Sequence, residues 1–220
     1  MGEWIRLKAS DGHELDAYSA AADGPSSGGI VVVQEIFGLT AHIRRVCDRF
    51  AEFGFDAIAP AMFDRVGRGI VFDYTDIENG RATMRKLEWP QIIRDVEAAA
   101  AATRSGMSVG VVGYCWGGTV VHVAASELPI AAGVSYYGAA IVKHLDKKPQ
   151  CPIMYHFGEQ DRSLPAADIE AIRQAVPDGV FHVYPGAGHG FNCDDRDAFS
   201  AADAALAEER TLAFLREHVT

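Results

Sequence analysis

Short apolar segments alternate with longer amphipathic segments along most of the chain. The apolar runs are rich in β-branched and aromatic side chains and predict strands buried on both faces. They lie at 30–33, 55–60, 109–112, 131–137, 153–157 and 180–184. Helical patterns lie at about 40–53, 77–87, 89–103, 119–125, 166–175 and 198–218. This order predicts one α/β domain over residues 1–220, with a mainly parallel central sheet and helices on both faces.

Two segments fall outside this alternation. Residues 4–7 and 14–18 alternate between apolar and polar positions around an Asp11-Gly12 turn, which predicts an antiparallel hairpin at the edge of the sheet. Residues 62–74 mix glycine, arginine and aromatic side chains without any periodicity. We expect that stretch to be a loop that borders a pocket.

The run 109–112 leads directly into Gly113-Tyr114-Cys115-Trp116-Gly117-Gly118. The spacing Gly-x-Cys-x-Gly is typical of a nucleophile at the tip of a sharp strand-to-helix turn, where flanking side chains would clash. Gly113 and Gly117 remove those side chains. The partial positive charge of the helix N-terminus favours thiolate over thiol at this position. Alternatively, Cys115 is a buried and inert packing residue, as many cysteines are.

Two further side chains favour the catalytic interpretation, because Asp161 and His189 each follow a predicted strand. Cys115, Asp161 and His189 therefore occur in the order nucleophile, acid, histidine. In such a triad the thiolate attacks an acyl carbon, the histidine transfers protons and the aspartate orients the imidazole. On the alternative interpretation, Asp161 caps a turn while Glu159 orients His189, or His189 simply belongs to a glycine-rich loop.

An acyl-transfer reaction also needs hydrogen-bond donors for the developing oxyanion. The expected donors are the backbone N–H groups of Trp116, directly after the nucleophile, and Ile36, in the segment after the strand 30–33. Glu35 precedes Ile36 at the carboxyl end of that strand. Ligands bind at this end of the strands in open α/β sheets, so we expect the active site there.

The formal net charge of -10 narrows the range of partners. A nucleic acid or an anionic membrane surface would require a concentrated positive field, so we expect neither. An anionic substrate would need a local arginine. No apolar stretch approaches the roughly 20 residues of a membrane span, and the first residues do not resemble a signal peptide, so we expect a cytoplasmic enzyme. The sequence leaves the oligomeric state open and is compatible with a monomer.

The remaining cysteines and histidines show no spacing typical of a metal site. Cys47, Cys151 and Cys193 are far apart, and we interpret them as reduced packing residues. The other histidines are interpreted as surface or strand residues. They are His13, His42, His122, His144, His156, His182 and His218. We therefore expect no metal and no organic cofactor.

Several segments carry a resemblance that covers nearly the whole chain. They are Gln34-Glu35-Ile36-Phe37-Gly38, the Cys115 hexapeptide, Gly158-Glu159-Gln160-Asp161, Gly188-His189-Gly190-Phe191 and the tail 207–215. Together they resemble the dienelactone hydrolase family of α/β-hydrolases. The pairing of a cysteine elbow with Gln-Glu-Ile-Phe-Gly is specific to that family within the fold. The resemblance implies ring opening of dienelactone to maleylacetate in the breakdown of chlorinated or plain aromatic compounds.

The same resemblance implies a role for Glu35. Its carboxylate would contact the Cys115 thiol in the resting enzyme and leave when substrate enters, so that the thiol is activated only on binding. This is physically reasonable, because a carboxylate beside a thiol opposes thiolate formation. On the alternative interpretation, Glu35 is a buried carboxyl group hydrogen-bonded to the backbone of the loop.

The substrate-binding positions match the family less well. Family members that act on dienelactone hold its carboxylate with arginines, one of them four residues after the catalytic histidine, where this chain has Cys193. Arg196 follows three residues later. A second family arginine corresponds to Arg81, with Arg85 one turn further on, and Phe37 is another candidate for the substrate site. The substrate is therefore dienelactone or another small acyl compound cleaved by a thiol esterase or thioesterase. The least expected alternative is a non-catalytic binding protein.

Overall fold

The computed structural model describes residues 1–103 and 108–219, and eight strands of these residues form one sheet. The strands are β1 (Glu3–Lys8), β2 (Glu14–Ala20), β3 (Gly29–Val33), β4 (Asp56–Pro60), β5 (Val109–Tyr114), β6 (Ala132–Tyr136), β7 (Ile153–Gly158) and β8 (Val180–Tyr184). Their order across the sheet is β1-β2-β4-β3-β5-β6-β7-β8. β2 pairs antiparallel with β1 and β4, and all other pairs are parallel. The predicted α/β class, the edge hairpin and the mainly parallel sheet are confirmed.

The helices cover both faces of this sheet, as predicted. They are α1 (Ala41–Glu52), α2 (Ile77–Met84), α3 (Trp89–Ala102), α4 (Trp116–Glu127), α5 (Ala166–Ala175) and α6 (Ala201–His218). Helices α1 and α6 bury side chains such as Ile43 and Leu215 on one face. Helices α3, α4 and α5 bury Ile92, Val120 and Ile169 on the other. Among the described residues, no helix is both long and apolar enough to span a membrane.

The structure corrects some boundaries. Helix α6 begins at Ala201 rather than near 198, because the preceding residues fold into turns that close with a hydrogen bond from the Ser200 N–H to the Phe191 carbonyl, 2.9 Å. Helix α2 ends at Met84 rather than near 87. Within the expected loop 62–74, Met62–Arg65 forms a short 3₁₀ helix.

Two histidines interpreted as surface or strand residues are instead buried in helices. His42 lies in α1 and His122 in α4. The His122 ring is satisfied internally, since its Nδ1 lies 2.9 Å from the Tyr155 hydroxyl and its Nε2 lies 3.1 Å from the His144 carbonyl oxygen. Burial lowers the pKa of His122 and keeps it neutral. Helix α4 is buried on nearly all sides, so its sequence has no polar stripe to mark such positions.

The turn between β5 and α4 brings three backbone segments unusually close together. A Cβ atom at Gly117 would collide with the carbonyl oxygens of Val33 and Gln34 at the end of β3. A Cβ atom at Gly113 would collide with the Gly117 carbonyl oxygen. The two glycines therefore allow the first turn of α4 to lie directly against the end of β3.

We expect Gly117→Ala to lower the free energy of unfolding by about 1–3 kcal/mol or more, because rigid backbone atoms occupy the space of the added methyl group. Gly188→Ala is the matched control, since no atom lies within 4 Å of a Cβ placed there. Urea unfolding of both variants checks the prediction. Equal stability of the two variants would contradict it.

Candidate active site

Cys115 lies at the tip of the turn between β5 and α4, with φ 56° and ψ -117°. This left-handed conformation is rare and strained for a residue with a side chain. Hydrogen bonds hold it in place: the Cys115 N–H donates to the Tyr136 carbonyl at 2.9 Å, and its own carbonyl accepts from the Gly118 N–H at 3.0 Å. The strain presents the thiol at the carboxyl edge of the sheet.

Cys115, His189 and Asp161 form one chain of contacts. His189 Nε2 lies 3.1 Å from Cys115 Sγ, and His189 Nδ1 lies 2.7 Å from Asp161 Oδ2. The second Asp161 oxygen accepts the Ser163 N–H at 2.8 Å, so both carboxylate oxygens are fixed. Glu159, the alternative partner for the histidine, instead accepts the Gly186 N–H at 3.2 Å. The structure therefore brings together the three residues that the sequence singled out.

The charges around His189 favour its protonated form. Burial lowers the pKa of this imidazole, but the neighbouring Cys115 and Asp161 outweigh burial and raise it well above its ordinary value. The Tyr137 ring packs edge-on against the imidazole, with 5.1 Å between ring centroids. This arrangement can hold an imidazolium that donates a hydrogen bond to a thiolate.

The two backbone groups expected to bind an oxyanion lie on either side of the contact between the first turn of α4 and the end of β3. Trp116 is the first residue of α4, whose first N–H groups have no acceptor within the helix. Ile36 follows β3, the strand end against which Gly117 packs. Among the hydrogen bonds of residues 1–103 and 108–219, none uses the Ile36 N–H. Gln34 fixes this segment by accepting the Met62 N–H at 3.2 Å.

Arg196 enters the site, a placement that the sequence left open. Its Nη1 donates to Glu35 Oε1 at 3.2 Å. Its guanidinium lies 5.7 Å from the Phe37 ring centroid and 5.8 Å from that of Tyr74. Burial opposes the charge of Arg196, but Glu35, Cys115 and other acidic neighbours outweigh burial and raise its pKa. Arg196 is thus a partly buried cation inside the candidate site.

The loop after His189 explains how a residue seven positions away reaches the site. The N–H groups of Cys193, Arg196 and Phe199 donate to the carbonyls three residues earlier, at 2.9, 3.1 and 3.0 Å. These consecutive turns shorten the loop. Arg196 also lies so close to Gly190 that its Nη1 is 2.6 Å from where a Cβ would stand. Turn hydrogen bonds of this kind leave no spacing signal in the sequence.

Cys193, interpreted as a plain packing residue, also lies at this site. It is fully buried, and its thiol interacts with Tyr74. Tyr74 in turn lies 3.0 Å from Thr40 Oγ1. Burial, with the charge of Glu35, raises the pKa of the Cys193 thiol to about 12 and keeps it protonated.

Other predicted site residues are placed differently. Arg81 is exposed on α2, and among the described residues its side chain makes no hydrogen bond or ion pair. Its neighbour Gly80 packs against the Ile36 carbonyl. The Glu35 carboxylate contacts Arg196 and the Cys115 sulfur contacts His189, so among the described residues the expected hydrogen bond between Glu35 and the Cys115 thiol is not formed.

Tyr137 is a site residue that the sequence did not single out. It has φ 42°, is fully buried and packs on His189. Its hydroxyl and Glu35 Oε2 are both buried without a hydrogen-bond partner among the described residues.

Comparison with known proteins gives a consistent result. The model of the dienelactone hydrolase family matches residues 15–219. The chain is 34% identical over 229 residues to the carboxymethylenebutenolidase of Pseudomonas putida, covering 98% of this chain and 96% of that protein. The values are the same for the carboxymethylenebutenolidase of Pseudomonas knackmussii.

A solved structure shows the same fold. The dienelactone hydrolase-like promiscuous phosphotriesterase P91 from metagenomic libraries superimposes with a TM-score of 0.82 at 20% identity, covering 100% of this chain and 99% of that one. The match to the family model and the match in fold agree with the α/β class of the sheet and helices. The chain belongs to the dienelactone hydrolase family of α/β-hydrolases and is a hydrolase of small ester or lactone substrates.

Proposed function

We propose that the chain opens a small anionic lactone or ester through an acyl-enzyme on Cys115, with dienelactone and its product maleylacetate as the favoured pair. The unbroken contact chain from Asp161 through His189 to Cys115 carries this proposal. Such a lactone acid arises in the breakdown of aromatic compounds. The proposed mechanism uses neither a metal nor an organic cofactor.

The proposed reaction has two steps. The Cys115 thiolate attacks the lactone carbonyl, the ring C–O bond breaks, and the His189 imidazolium gives its proton to the leaving oxygen. The neutral imidazole then takes a proton from water, and the resulting hydroxide attacks the thioester and releases the Cys115 thiolate. Asp161 holds the imidazole orientation and stabilises its charged form in both steps.

Two backbone groups stabilise the tetrahedral intermediates in this proposal. The N–H groups of Ile36 and Trp116 donate to the oxyanion, which exists only while the carbonyl carbon is tetrahedral. Because Gly117 packs against the end of β3, both donors belong to one rigid contact. Such preorganised donors accelerate acyl transfer without reorganising during the reaction.

Arg196 is the proposed partner of the substrate carboxylate. A guanidinium has five N–H donors, and Arg196 makes one side-chain hydrogen bond within the described residues, to Glu35. The remaining donors suit the two oxygens of a carboxylate. A local cation of this kind lets a chain with a net charge of -10 bind an anion. Phe37 and Tyr74 form the apolar surface under the guanidinium.

Glu35 is the proposed gate of the thiol. One of its oxygens accepts from Arg196, and the other is buried without a partner among the described residues. In this proposal the second oxygen accepts the Cys115 S–H in the resting enzyme, while the first keeps its contact with Arg196. A substrate carboxylate that competes for Arg196 would displace Glu35 from the thiol. Cys115 would then interact with His189 alone.

Steady-state hydrolysis tests the proposed reaction. We expect turnover of cis- or trans-dienelactone well above that of p-nitrophenyl acetate, and a loss on the order of a thousandfold or more in Cys115→Ala. Cys151→Ala is the matched control and should keep its activity. Cysteine-dependent turnover of the neutral ester alone would favour the thiol esterase alternative. No turnover of either compound would favour a binding protein.

Substitution of arginines tests the carboxylate partner. Because a charge-assisted hydrogen bond is worth about 1.5–3 kcal/mol, Arg196→Gln should raise KM for the lactone acid by about tenfold or more. KM for p-nitrophenyl acetate should change little. Arg81→Gln is the matched variant at an exposed arginine. A KM increase in Arg81→Gln alone would show that Arg81, and not Arg196, binds the substrate carboxylate. The double variant Glu35→Gln/Arg196→Gln avoids an unpaired buried charge and should show the same KM increase.

Alkylation of Cys115 tests the gate. We expect Glu35→Gln to raise the second-order rate with iodoacetamide by at least about twofold, because the neutral amide no longer opposes the thiolate. Mass spectrometry follows the modified Cys115, and Glu159→Gln serves as a matched control without effect. An unchanged or slower rate in Glu35→Gln would argue against gating.

A further inference from the structure

Three potential metal ligands meet beside the active site and have no part in the proposed mechanism. They are His42 in α1 and Cys193 and Asp194 in the loop after β8. One ligand atom from each lies within 4.8 Å of the other two. His42 and Cys193 are buried, whereas Asp194 is about half exposed. The three residues come from two separate segments of the chain. Helix α1 and the loop are joined here by a 2.9 Å contact between His42 Nδ1 and Asp194 Oδ1.

The donor types suit a zinc-class cation. Imidazole nitrogen, thiolate sulfur and carboxylate oxygen are the three ligand types that Zn²⁺ uses, and three protein ligands leave one position for water. Mg²⁺ and Ca²⁺ prefer oxygen ligands alone. His42 and Asp194 also line a cavity of about 770 Å³ between α1 and α6, which gives an ion a route from solvent.

The charged groups around these three residues have a net negative charge, which favours a cation. Glu35 acts on the Cys193 thiol, and Asp194 and Asp195 follow it in the loop. Against these three carboxylates stand two guanidiniums, those of Arg196 and Arg45. A divalent ion that displaces the Cys193 proton would therefore bring the group to neutrality.

Two features oppose binding and limit its strength. Arg45 Nη2 lies 2.7 Å from Asp194 Oδ1, the oxygen that also faces His42. The same nitrogen lies 2.7 Å from Asp195 Oδ1, so Arg45 keeps a partner when Asp194 turns to an ion. The Cys193 thiol must also lose its proton, which burial disfavours.

We propose that His42, Cys193 and Asp194 form a site for a zinc-class divalent cation, separate from Cys115, His189 and Asp161. A bound ion would tie the loop that carries Arg196 to helix α1. The cavity between α1 and α6 supplies the water ligand. This site does not depend on the proposed reaction and can be tested in an inactive variant.

Cobalt titration of Cys115→Ala tests the site, because Cys115 and His189 could themselves hold a metal and must not contribute a thiolate. We expect one Co²⁺ per chain with a thiolate-to-cobalt charge-transfer band in the near ultraviolet. Adding Cys193→Ser should abolish the band, whereas adding Cys47→Ser or Cys151→Ser should leave it. Zn²⁺ should displace Co²⁺, and excess Mg²⁺ should not. Absence of the band in Cys115→Ala, or its survival in Cys193→Ser, would overturn the proposal.

A comparison of two carboxylate variants tests the site even if Cys193→Ser fails to fold. In the Cys115→Ala background, Asp194→Asn should weaken Co²⁺ binding by at least about tenfold. Asp195→Asn is the matched control, because Asp195 shares Arg45 but lies outside the ligand group. His42→Gln should weaken binding as much as Asp194→Asn. Equal affinities of the Asp194→Asn and Asp195→Asn variants would overturn the site.

Discussion

The close approach of α4 to the end of β3 is the constraint on which the site depends. Without a side chain at Gly117, the first turn of the helix lies against the Val33 and Gln34 carbonyls. Cys115, two residues earlier, has a left-handed conformation, and Trp116 lies between it and the Gly117 contact with the end of β3. One steric condition therefore positions both the proposed nucleophile and the proposed oxyanion donors. A larger residue at position 117 would disturb all of them together.

The sheet explains why the meeting of Cys115, Asp161 and His189 was predictable from the sequence. Strands β5, β7 and β8 are parallel, so the residues that follow them meet at one edge although Cys115 and His189 are 74 positions apart. Each of these strands is a distinct apolar run, and each of the three residues comes soon after its end. Chain order and strand polarity alone thus bring Cys115, Asp161 and His189 to the same edge. The elbow spacing then indicates Cys115 as the proposed nucleophile.

What the sequence did not predict depends on contacts without a periodic pattern. Arg196 reaches the site because consecutive turns shorten its loop, and those turns use backbone hydrogen bonds that many sequences can form. His122 is hidden because α4 is buried nearly all round. The approach of His42 to Cys193 joins α1 to a loop about 150 positions away, so no motif spacing could reveal it.

Glu35 connects substrate charge to the state of the thiol in the proposed mechanism. A buried guanidinium without a counter-charge would be costly, so Arg196 needs a carboxylate when the site holds no substrate. Glu35 supplies it. A substrate carboxylate that binds the free donors of Arg196 shares the guanidinium with Glu35 and weakens their contact, while Arg196 keeps a counter-charge throughout. A neutral ester offers no such carboxylate and leaves Glu35 where it is. Preference for anionic substrates and activation of Cys115 on binding would then have the same physical origin.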